Sequence, residues 1–401
     1  MPSQVIYSNR IFTSHEELTD SIIVVDGEKI VAVGHRDEIA VPAGAREVVA
    51  RHTIVAPGFV DVHIHGAGGR DVMEGTTDAL EVVCRSVARH GTTSIVATTV
   101  SASEEETCRG VRGIAEYIGD ARRGSGGARE AAEVLGVHFE GPFISAVRRG
   151  VHPERMLARP SVEVWRKFEE AAGGWARMLT LAPELEGAME LISEVRGEAP
   201  EGSSRRGAGM VIGMGHTDAT FEQAEEAVVR GARHGVHVFN AMRPLSHRET
   251  GVLGCILTNP EVTAELIADG IHVDDAAIRI LLACKGFENV LLVSDGMAAT
   301  GMPDGDYRLG GIKVKVSGGV ARNEEGRLAG STLTLDRAVR HMVGLGVPLA
   351  DALRMASLGP ARRLGLAGKK GLIAPGADAD LVFLSEDLQV EGVMTRGVGP
   401  S

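Results

Sequence analysis

Two histidines separated by one residue, His63 and His65, are the first side chains of this sequence whose types and spacing could do chemistry. They lie in residues 57–66 (PGFVDVHIHG), a stretch typical of a strand that ends in a turn. Because side chains alternate along a strand, Asp61, His63 and His65 would share one face. Two imidazoles that converge at a strand end can bind one divalent metal ion. The alternative is a pair of histidines satisfied by hydrogen bonds in a packed interior.

Further groups able to bind a metal follow other apolar segments, namely Glu140, His216, His237 and Asp295. Taken singly, Glu140 suits a solvated loop, His216 the start of a helix and His237 a packed core. If the segments are parallel strands of one barrel, however, these groups meet His63 and His65, because the carboxyl ends of such strands form one face. The combined set predicts a metal centre at that face.

The rest of the chain must supply the elements that position these groups. Short apolar segments alternate with longer Ala- and Glu-rich stretches, which is the repeat of a barrel or of a doubly wound sheet. Eight strand candidates cover residues 52–65, 92–100, 133–139, 178–182, 210–216, 235–239, 263–268 and 290–294. Eight is the strand number of a TIM barrel, although the count by itself leaves a Rossmann-like sheet open.

The two ends of the chain have the short alternating apolar runs of β-strands and hairpins, such as residues 21–25 and 29–33 around Asp26-Gly27. We therefore predict an α/β protein, a (β/α)8 TIM barrel with a small β-sandwich domain formed by the N- and C-terminal segments. Residues 1–55 and 367–401 would form the small domain, and residues 56–366 the catalytic barrel. We also expect a hairpin insertion near residues 307–328 and exposed loops at residues 122–127 and 198–209.

The amino-acid composition and net charge exclude some classes of protein. The chain has 401 residues, of which 44% are hydrophobic and 3% aromatic, so a core built from Ala, Val, Leu and Ile is expected. A formal charge of -12 argues against binding to nucleic acid or to an anionic membrane, since both need a basic surface. The four scattered cysteines are expected to be reduced core thiols. Without a signal peptide or a long apolar run, a cytoplasmic location is predicted.

The order and composition of these motifs resemble the amidohydrolase superfamily and, within it, the N-acetylglucosamine-6-phosphate deacetylase family. The resemblance covers nearly the whole chain, and it rests on residues 57–66, 138–143, 150–153, 215–217, 239–242, 248–251, 269–273, 293–295, 328–331 and 360–362. It implies a TIM barrel that hydrolyses the N-acetyl group of N-acetylglucosamine-6-phosphate, with glucosamine-6-phosphate and acetate as products.

The resemblance also implies which residues bind the metal. Glu140, His216 and His237 would hold the principal ion, and His63 and His65 would complete a second site bridged by Glu140. Some members of the family lack the His-x-His pair and use one metal, so one or two ions per chain are expected. Zinc is the first candidate, and iron and manganese also suit mixed imidazole and carboxylate ligands.

Catalytic and substrate-binding roles follow from the same resemblance. Asp295, also beside the metal, would act as general base and then general acid. His272 would polarise the acetyl carbonyl. The phosphorylated N-acetyl amino sugar would be bound by Val151, His152, Asn240, Ala241, Arg248, Asp269, His272, Leu328, Ala329 and Gly330. The family further implies a homodimer in which Arg248 reaches the partner's active site. His247 departs from the small residue expected beside Arg248.

Other enzymes of similar type fit less well. Cyclic amidases of the hydantoinase or dihydroorotase type need a carboxylated lysine, which residues 179–184 lack, and adenosine-type deaminases need His-x-x-Glu where this chain has His216-Thr217-Asp218-Ala219. A barrel that has lost its chemistry would lack a member of the metal or acid–base set, and none is missing here. Hydrolysis of a different N-acyl amino sugar, including N-acetylgalactosamine-6-phosphate, remains open.

Overall fold

A curved sheet of eight parallel strands forms the centre of the protein. The computed structural model describes residues 3–50, 53–123, 130–197 and 209–399. The strands follow one another in chain order: β1 (Phe59–Ile64), β2 (Thr92–Thr98), β3 (Glu133–Glu140), β4 (Ala176–Leu181), β5 (Val211–Met214), β6 (Ala232–Gly235), β7 (Thr263–Leu266) and β8 (Val290–Leu292). The chain just after β8 closes the ring, because Asp295 N donates to His63 O (2.9 Å) and His65 N to Gly296 O (2.8 Å). The predicted TIM barrel is confirmed.

Helices surround the barrel and cover its outer face. They are α1 (Thr77–Ala88), α2 (Glu104–Arg123), α3 (Val162–Ala171), α4 (Ala188–Arg196), α5 (Phe221–Arg230), α6 (Gly251–Thr258), α7 (Asp275–Lys285), α8 (Leu335–Gly344), α9 (Leu349–Ala356) and α10 (Leu358–Arg363). In α1, Leu80, Val83 and Val87 recur at helical spacing and are buried, while Thr76 caps the first turn by accepting from Ala79 N. Strands such as β2 and β4 are buried along their whole length, as expected of a parallel sheet covered on both faces.

The two ends of the chain form two further sheets. One contains Lys29–His35, Ser21–Asp26, Gln4–Ser8 and Arg46–Val49, and the other Val390–Met394, Leu381–Leu384, Ile54–Pro57, Arg10–Phe12 and Glu17–Leu18. Ile23 and Ile30 from the first sheet share a core with Leu381 and Phe383 from the second. The small β-sandwich is therefore confirmed, whereas its limits at residues 55 and 367 stay a prediction.

A buried cluster of charges joins this small sandwich to the barrel. The Nζ atom of Lys370 lies 2.6 Å from Glu133 at the start of β3, 3.0 Å from Asp378 and 2.7 Å from Asp380. Lys370 is 4% exposed, and although burial lowers the pKa of its amine, the three carboxylates outweigh burial and raise it. A single cation thus pairs with carboxylates from both parts of the molecule.

Two strand predictions need correction. Residues 52–65 do not form one strand, because Ile54–Pro57 joins the small sandwich and only Phe59–Ile64 joins the barrel, and residue 52 lies outside the described residues. The sixth barrel strand is Ala232–Gly235 rather than residues 235–239. His237 (φ 31°) and Phe239 (φ 80°) adopt the left-handed backbone conformation, which a strand cannot contain.

The insertion after β8, two exposed loops and the state of the cysteines were also predicted from the sequence. The insertion after β8 has three antiparallel strands, Gly305–Leu309, Ile312–Ser317 and Val320–Asn323, one more than the predicted hairpin. Of the loop residues expected at 122–127, residues 122 and 123 end α2 and the others lie outside the described residues, as do residues 198–208 of the second loop. Cys284 is exposed on the solvent side of α7, whereas Cys84, Cys108 and Cys255 are buried as expected.

In the described part of the chain, no helix has the length and apolarity to cross a bilayer.

Candidate active site

The predicted metal-binding groups all lie at or just beyond the carboxyl ends of barrel strands. His63 is in β1 and His65 directly follows it, Glu140 ends β3, and the remaining groups lie two or three residues beyond β5, β6 and β8. His216 (φ 47°), His237 (φ 31°) and Asp295 (φ 48°) have left-handed backbones. This conformation costs a non-glycine residue on the order of 1–3 kcal/mol, and such strain concentrates at functional sites. All three strained residues therefore belong to the predicted site.

Glu140 is the point on which the imidazoles converge. Its Oε1 atom lies 2.9 Å from Nε2 of His237, 3.2 Å from Nε2 of His216 and 3.3 Å from Nε2 of His63. Its Oε2 atom lies 3.4 Å from Nε2 of His65. All five residues are buried. The structure therefore brings together the five groups predicted to hold one or two ions.

In three of these imidazoles, Nδ1 makes a hydrogen bond to a group other than Glu140. Nδ1 of His63 faces Glu265 Oε2 (2.9 Å), Nδ1 of His65 faces Thr98 O (3.1 Å) and Nδ1 of His216 faces Arg148 O (2.9 Å). Carboxylate and carbonyl oxygens only accept, so each Nδ1 carries a proton, and each ring in its neutral form would point an Nε2 lone pair at Glu140.

The contact between these Nε2 atoms and a carboxylate is favourable with a cation between them, which can be a proton or a metal ion. Among the described residues, Nε2 of His63 has no hydrogen-bond partner although it is fully buried. Potential ligand atoms fall into three groups that each lie within 4.8 Å: His63, His65 and Asp295; His63, Glu140 and His237; Glu140, His152 and His216. The donor set therefore fits a divalent metal ion bound by nitrogen and oxygen.

Electrostatics favour positive charge at the same place. Burial lowers the pKa of His63, but the charges of Glu140 and Glu265 outweigh burial and raise it well above its ordinary value. Burial raises the pKa of Glu140, yet the charges of His63 and His216 bring it well below its ordinary value. His152 differs, because burial lowers its pKa to about 4 and it stays neutral at physiological pH. The deprotonated carboxylates of Glu140 and Glu265 thus favour positive charge at this place, which a bound metal ion would supply.

Asp295 lies against the histidine pair of β1. Its Oδ1 atom is 3.1 Å from Nε2 of His65 and 3.7 Å from Nε2 of His63. Burial raises the pKa of Asp295, but the hydrogen bond with His65 and the charge of His63 outweigh burial and lower it. The carboxylate is therefore ionised at neutral pH and can accept a proton.

His272 is held in place by Asp269, three residues before it. Nδ1 of His272 is 2.7 Å from Oδ2 of Asp269, and Oδ1 of Asp269 accepts from the backbone N–H groups of Ile271 and His272, both at 2.8 Å. Burial raises the pKa of Asp269, but the hydrogen bond and charge of His272 outweigh burial and lower it. Asp269 thus fixes the ring orientation and keeps a proton on Nδ1 of His272.

A cavity of about 350 Å³ opens above these groups. The predicted site residues on its wall are His65, Glu140, Val151, His152, His216, His237, Asn240, Ala241, His272, Asp295, Leu328 and Gly330. His63 lies beneath the wall and is fully buried, as is Ala329 in the adjacent insertion core. Arg248 is exposed and does not line this cavity.

Three residues of the site were missed from the sequence. Glu265 of β7 contacts His63, and it also accepts from the backbone N–H of His237 (3.0 Å). Arg148 and Arg327 line the cavity as its two arginines. Glu265 could have been found from the sequence, because a carboxylate inside a short buried strand is costly unless it is paired. The arginines stand in exposed, polar stretches where such a residue is ordinary.

Comparison with known proteins agrees with this geometry. Residues 54–398 match the amidohydrolase family. The N-acetylglucosamine-6-phosphate deacetylase of Bacillus subtilis (strain 168) is 33% identical over 98% of this chain and 96% of its own. The N-acetylgalactosamine-6-phosphate deacetylase of Escherichia coli O157:H7 is 35% identical over 98% of both chains.

A solved structure is similar over the same extent. It is a mutant of the Mycobacterium smegmatis N-acetyl-D-glucosamine-6-phosphate deacetylase in complex with N-acetyl-D-glucosamine-6-phosphate. Its sequence is 37% identical to this one, its TM-score is 0.87, and 99% of each chain is covered. With a family match over most of its length and relatives this similar, the chain belongs to the amidohydrolase family.

Proposed function

We propose that this protein is a metal-dependent hydrolase that removes the N-acetyl group of N-acetylglucosamine-6-phosphate, giving glucosamine-6-phosphate and acetate. The observation that carries the proposal is the convergence of three imidazole Nε2 atoms within 3.3 Å of one oxygen of Glu140, with Asp295 and His272 on the wall of the same cavity. Relatives with this activity, similar to the chain from end to end, support it.

Glu140, His216 and His237 would hold the principal metal ion, and His63 and His65 would hold a second one. A divalent metal bound there would lower the pKa of a coordinated water to about 7 and polarise the acetyl carbonyl. Zinc is our first candidate, with iron and manganese as alternatives.

The protein's own residues would then move the proton. Asp295, ionised and only partly exposed beside His65, would take a proton from the attacking water at Oδ1 or Oδ2. It later gives that proton to the amide nitrogen, which leaves as an amine only when protonated. His272, oriented by Asp269 through its Nδ1–H, would donate from Nε2 to the carbonyl oxygen when the ring carries both protons, and so stabilise the transition state more than the substrate.

Binding of the sugar phosphate would use other residues of the same cavity. Asn240, Ala241, Val151 and His152 lie on its wall, with Leu328, Ala329 and Gly330 supplied by the insertion. Because the chain carries a formal charge of -12, an anionic substrate needs local cations. Arg248 is exposed away from its own cavity, which supports a homodimer in which it grips the phosphate in the partner's site. A cytoplasmic location remains our prediction.

N-acetylgalactosamine-6-phosphate is the second candidate substrate. The relative named for this sugar is 35% identical to this chain, which lies between the 33% and 37% of two relatives named for N-acetylglucosamine-6-phosphate. The two sugars differ in the configuration of one hydroxyl group, so discrimination depends on whether a polar side chain meets that hydroxyl.

The test is acetate release by purified protein, with metal content measured on the same sample. We expect turnover of N-acetylglucosamine-6-phosphate far above that of unphosphorylated N-acetylglucosamine, and one or two ions per chain. N-acetylgalactosamine-6-phosphate is assayed in parallel, and a higher kcat/KM for it would transfer the assignment to that sugar. Bound metal without acetate release from any of the three would refute the substrate assignment, and cyclic amides should then be screened.

A further inference from the structure

A carboxylate buried inside the barrel connects two of the proposed metal ligands. Glu265 stands in β7 and is 0% exposed. Its Oε2 atom is 2.9 Å from Nδ1 of His63 and accepts from the backbone N–H of His237 at 3.0 Å. Its Oε1 atom is 2.9 Å from Nε2 of His234, whose Nδ1 lies 2.7 Å from Thr263 Oγ1. Both oxygens of Glu265 are therefore occupied by imidazole and backbone donors.

We propose that Glu265 is a positioning residue that fixes the proton of His63 on Nδ1 and so presents Nε2 to the second metal site. The inference rests on the proposed function. A ligating histidine whose other ring nitrogen donates to a carboxylate is held in one orientation and becomes a more basic ligand. His65 and His216 have only neutral backbone carbonyls in that place. Of these three, His63 is the imidazole with a charged partner behind it.

Packing alone does not account for a carboxylate at this position. Burying an ion in the barrel interior costs several kcal/mol before any compensation, and an apolar side chain of similar volume is often as stable or more so. β7 is otherwise apolar in its buried part, with Ala264 and Leu266 on either side of Glu265. The contacts that compensate the charge are made largely to His63 and His237, residues that also reach Glu140.

The Oε2 contact to His237 adds a second effect. His237 has a left-handed backbone (φ 31°), and its Nε2 lies 2.9 Å from Glu140. The N–H that Glu265 accepts belongs to this strained residue, so one carboxylate orients a side-chain ligand on β1 and the backbone of another ligand after β6. A single residue that is not itself a proposed ligand thus orients one ligand of each proposed metal position.

Glu265→Gln tests the inference because it removes the charge and keeps the shape. The amide oxygen can still accept from His63 and His237, and the amide N–H can donate to His234 Nε2. Apo-protein is titrated with Zn²⁺ against a chromophoric chelator, and the binding step that depends on His63 is identified with His63→Asn. In Glu265→Gln we expect that step to weaken about 10–100-fold. The ion held by Glu140, His216 and His237 should bind within about threefold of wild type.

Thr263→Val is the matched control, since it perturbs His234 in the same cluster without touching His63. It should leave both binding steps unchanged, and circular dichroism should show all variants folded. If His63→Asn weakens a step and Glu265→Gln does not, the role of Glu265 is refuted while the proposed function stands. If His63→Asn weakens no step, the two-metal arrangement of the proposed function fails and the inference fails with it. If Thr263→Val weakens the binding step that depends on His63 as much as Glu265→Gln does, the effect comes from packing of the cluster and the positioning role of Glu265 is refuted.

Discussion

Replacing Asp295 with asparagine removes the charge of the proposed proton carrier and changes little else. Oδ1 of Asp295 lies 3.1 Å from His65 Nε2 and the side chain is 13% exposed, so an amide of the same shape fits. A positioned acid–base group contributes about 10²–10⁴-fold to rate. Because one carboxylate first takes and then returns the proton, we expect kcat to fall about 10³-fold or more, which is about 4 kcal/mol of activation free energy.

The assay is acetate release under saturating sugar phosphate, with substrate affinity of the variant measured by calorimetry. KM and affinity should stay within about threefold of wild type, because the lost interaction acts in the transition state. Asp274→Asn is the control: Asp274 is an exposed helix cap that accepts from Ala276 N (2.8 Å), and asparagine caps equally well. A kcat for Asp295→Asn within about tenfold of wild type would refute the role given to Asp295.

Four further outcomes are expected. Arg248→Ala should raise KM for the phosphorylated substrate about 10–100-fold with kcat nearly unchanged, because a charged hydrogen bond contributes about 1.5–3 kcal/mol; steady-state kinetics with and without the phosphate check this. Dialysis against a chelator should abolish acetate release, and added divalent metal should restore it. Although burial raises the pKa of Asp336, the neighbouring His90 (3.6 Å from Oδ1) and the charge of Arg340 (2.9 Å from Oδ2) outweigh burial and hold it at about 2. Asp336 therefore stabilises the fold above pH 4, by about 2 kcal/mol, and loses this contribution as pH falls toward 2, so Asp336→Asn should flatten that part of the urea-unfolding profile. Lys370→Met should lower the free energy of unfolding by about 3–5 kcal/mol, and a loss under about 1 kcal/mol would contradict the buried cluster of Lys370 with Glu133, Asp378 and Asp380.

Much of the site could be anticipated because it depends on geometry that a parallel barrel imposes. The alternation of a strand predicted that His63 and His65 face the same way, and the common edge of the strand ends predicted that Glu140 and Asp295 lie near them. The structure brings these groups together as expected. Asp61, which shares their spacing, instead accepts from the backbone N–H groups of His63 (3.2 Å) and Ser294 (3.3 Å).

What the sequence did not reveal depends on backbone conformation and on contacts between distant strands. Left-handed residues such as His237 end β6 earlier than the run of apolar residues suggests. Glu265 is one carboxylate in a strand of four residues, and its partner His63 stands at the other end of the barrel sequence. Hydrophobic periodicity predicts neither the end of β6 nor the contact between Glu265 and His63, because both depend on hydrogen bonds that form only when the barrel closes.

The pairing of the two chain ends has a consequence for how the protein is made. Leu384 pairs with Ile54 and Leu381 with Pro57, so the second sheet of the sandwich lacks two of its five strands until the last part of the chain has left the ribosome. Contacts this distant along the chain form slowly, because the intervening segment must first become compact. Until then the edge of Ile54–Pro57 offers unpaired backbone groups beside apolar side chains, which is the usual template for aggregation. Loss of the C-terminal strands should therefore reduce the soluble yield more than it affects the barrel's own chemistry.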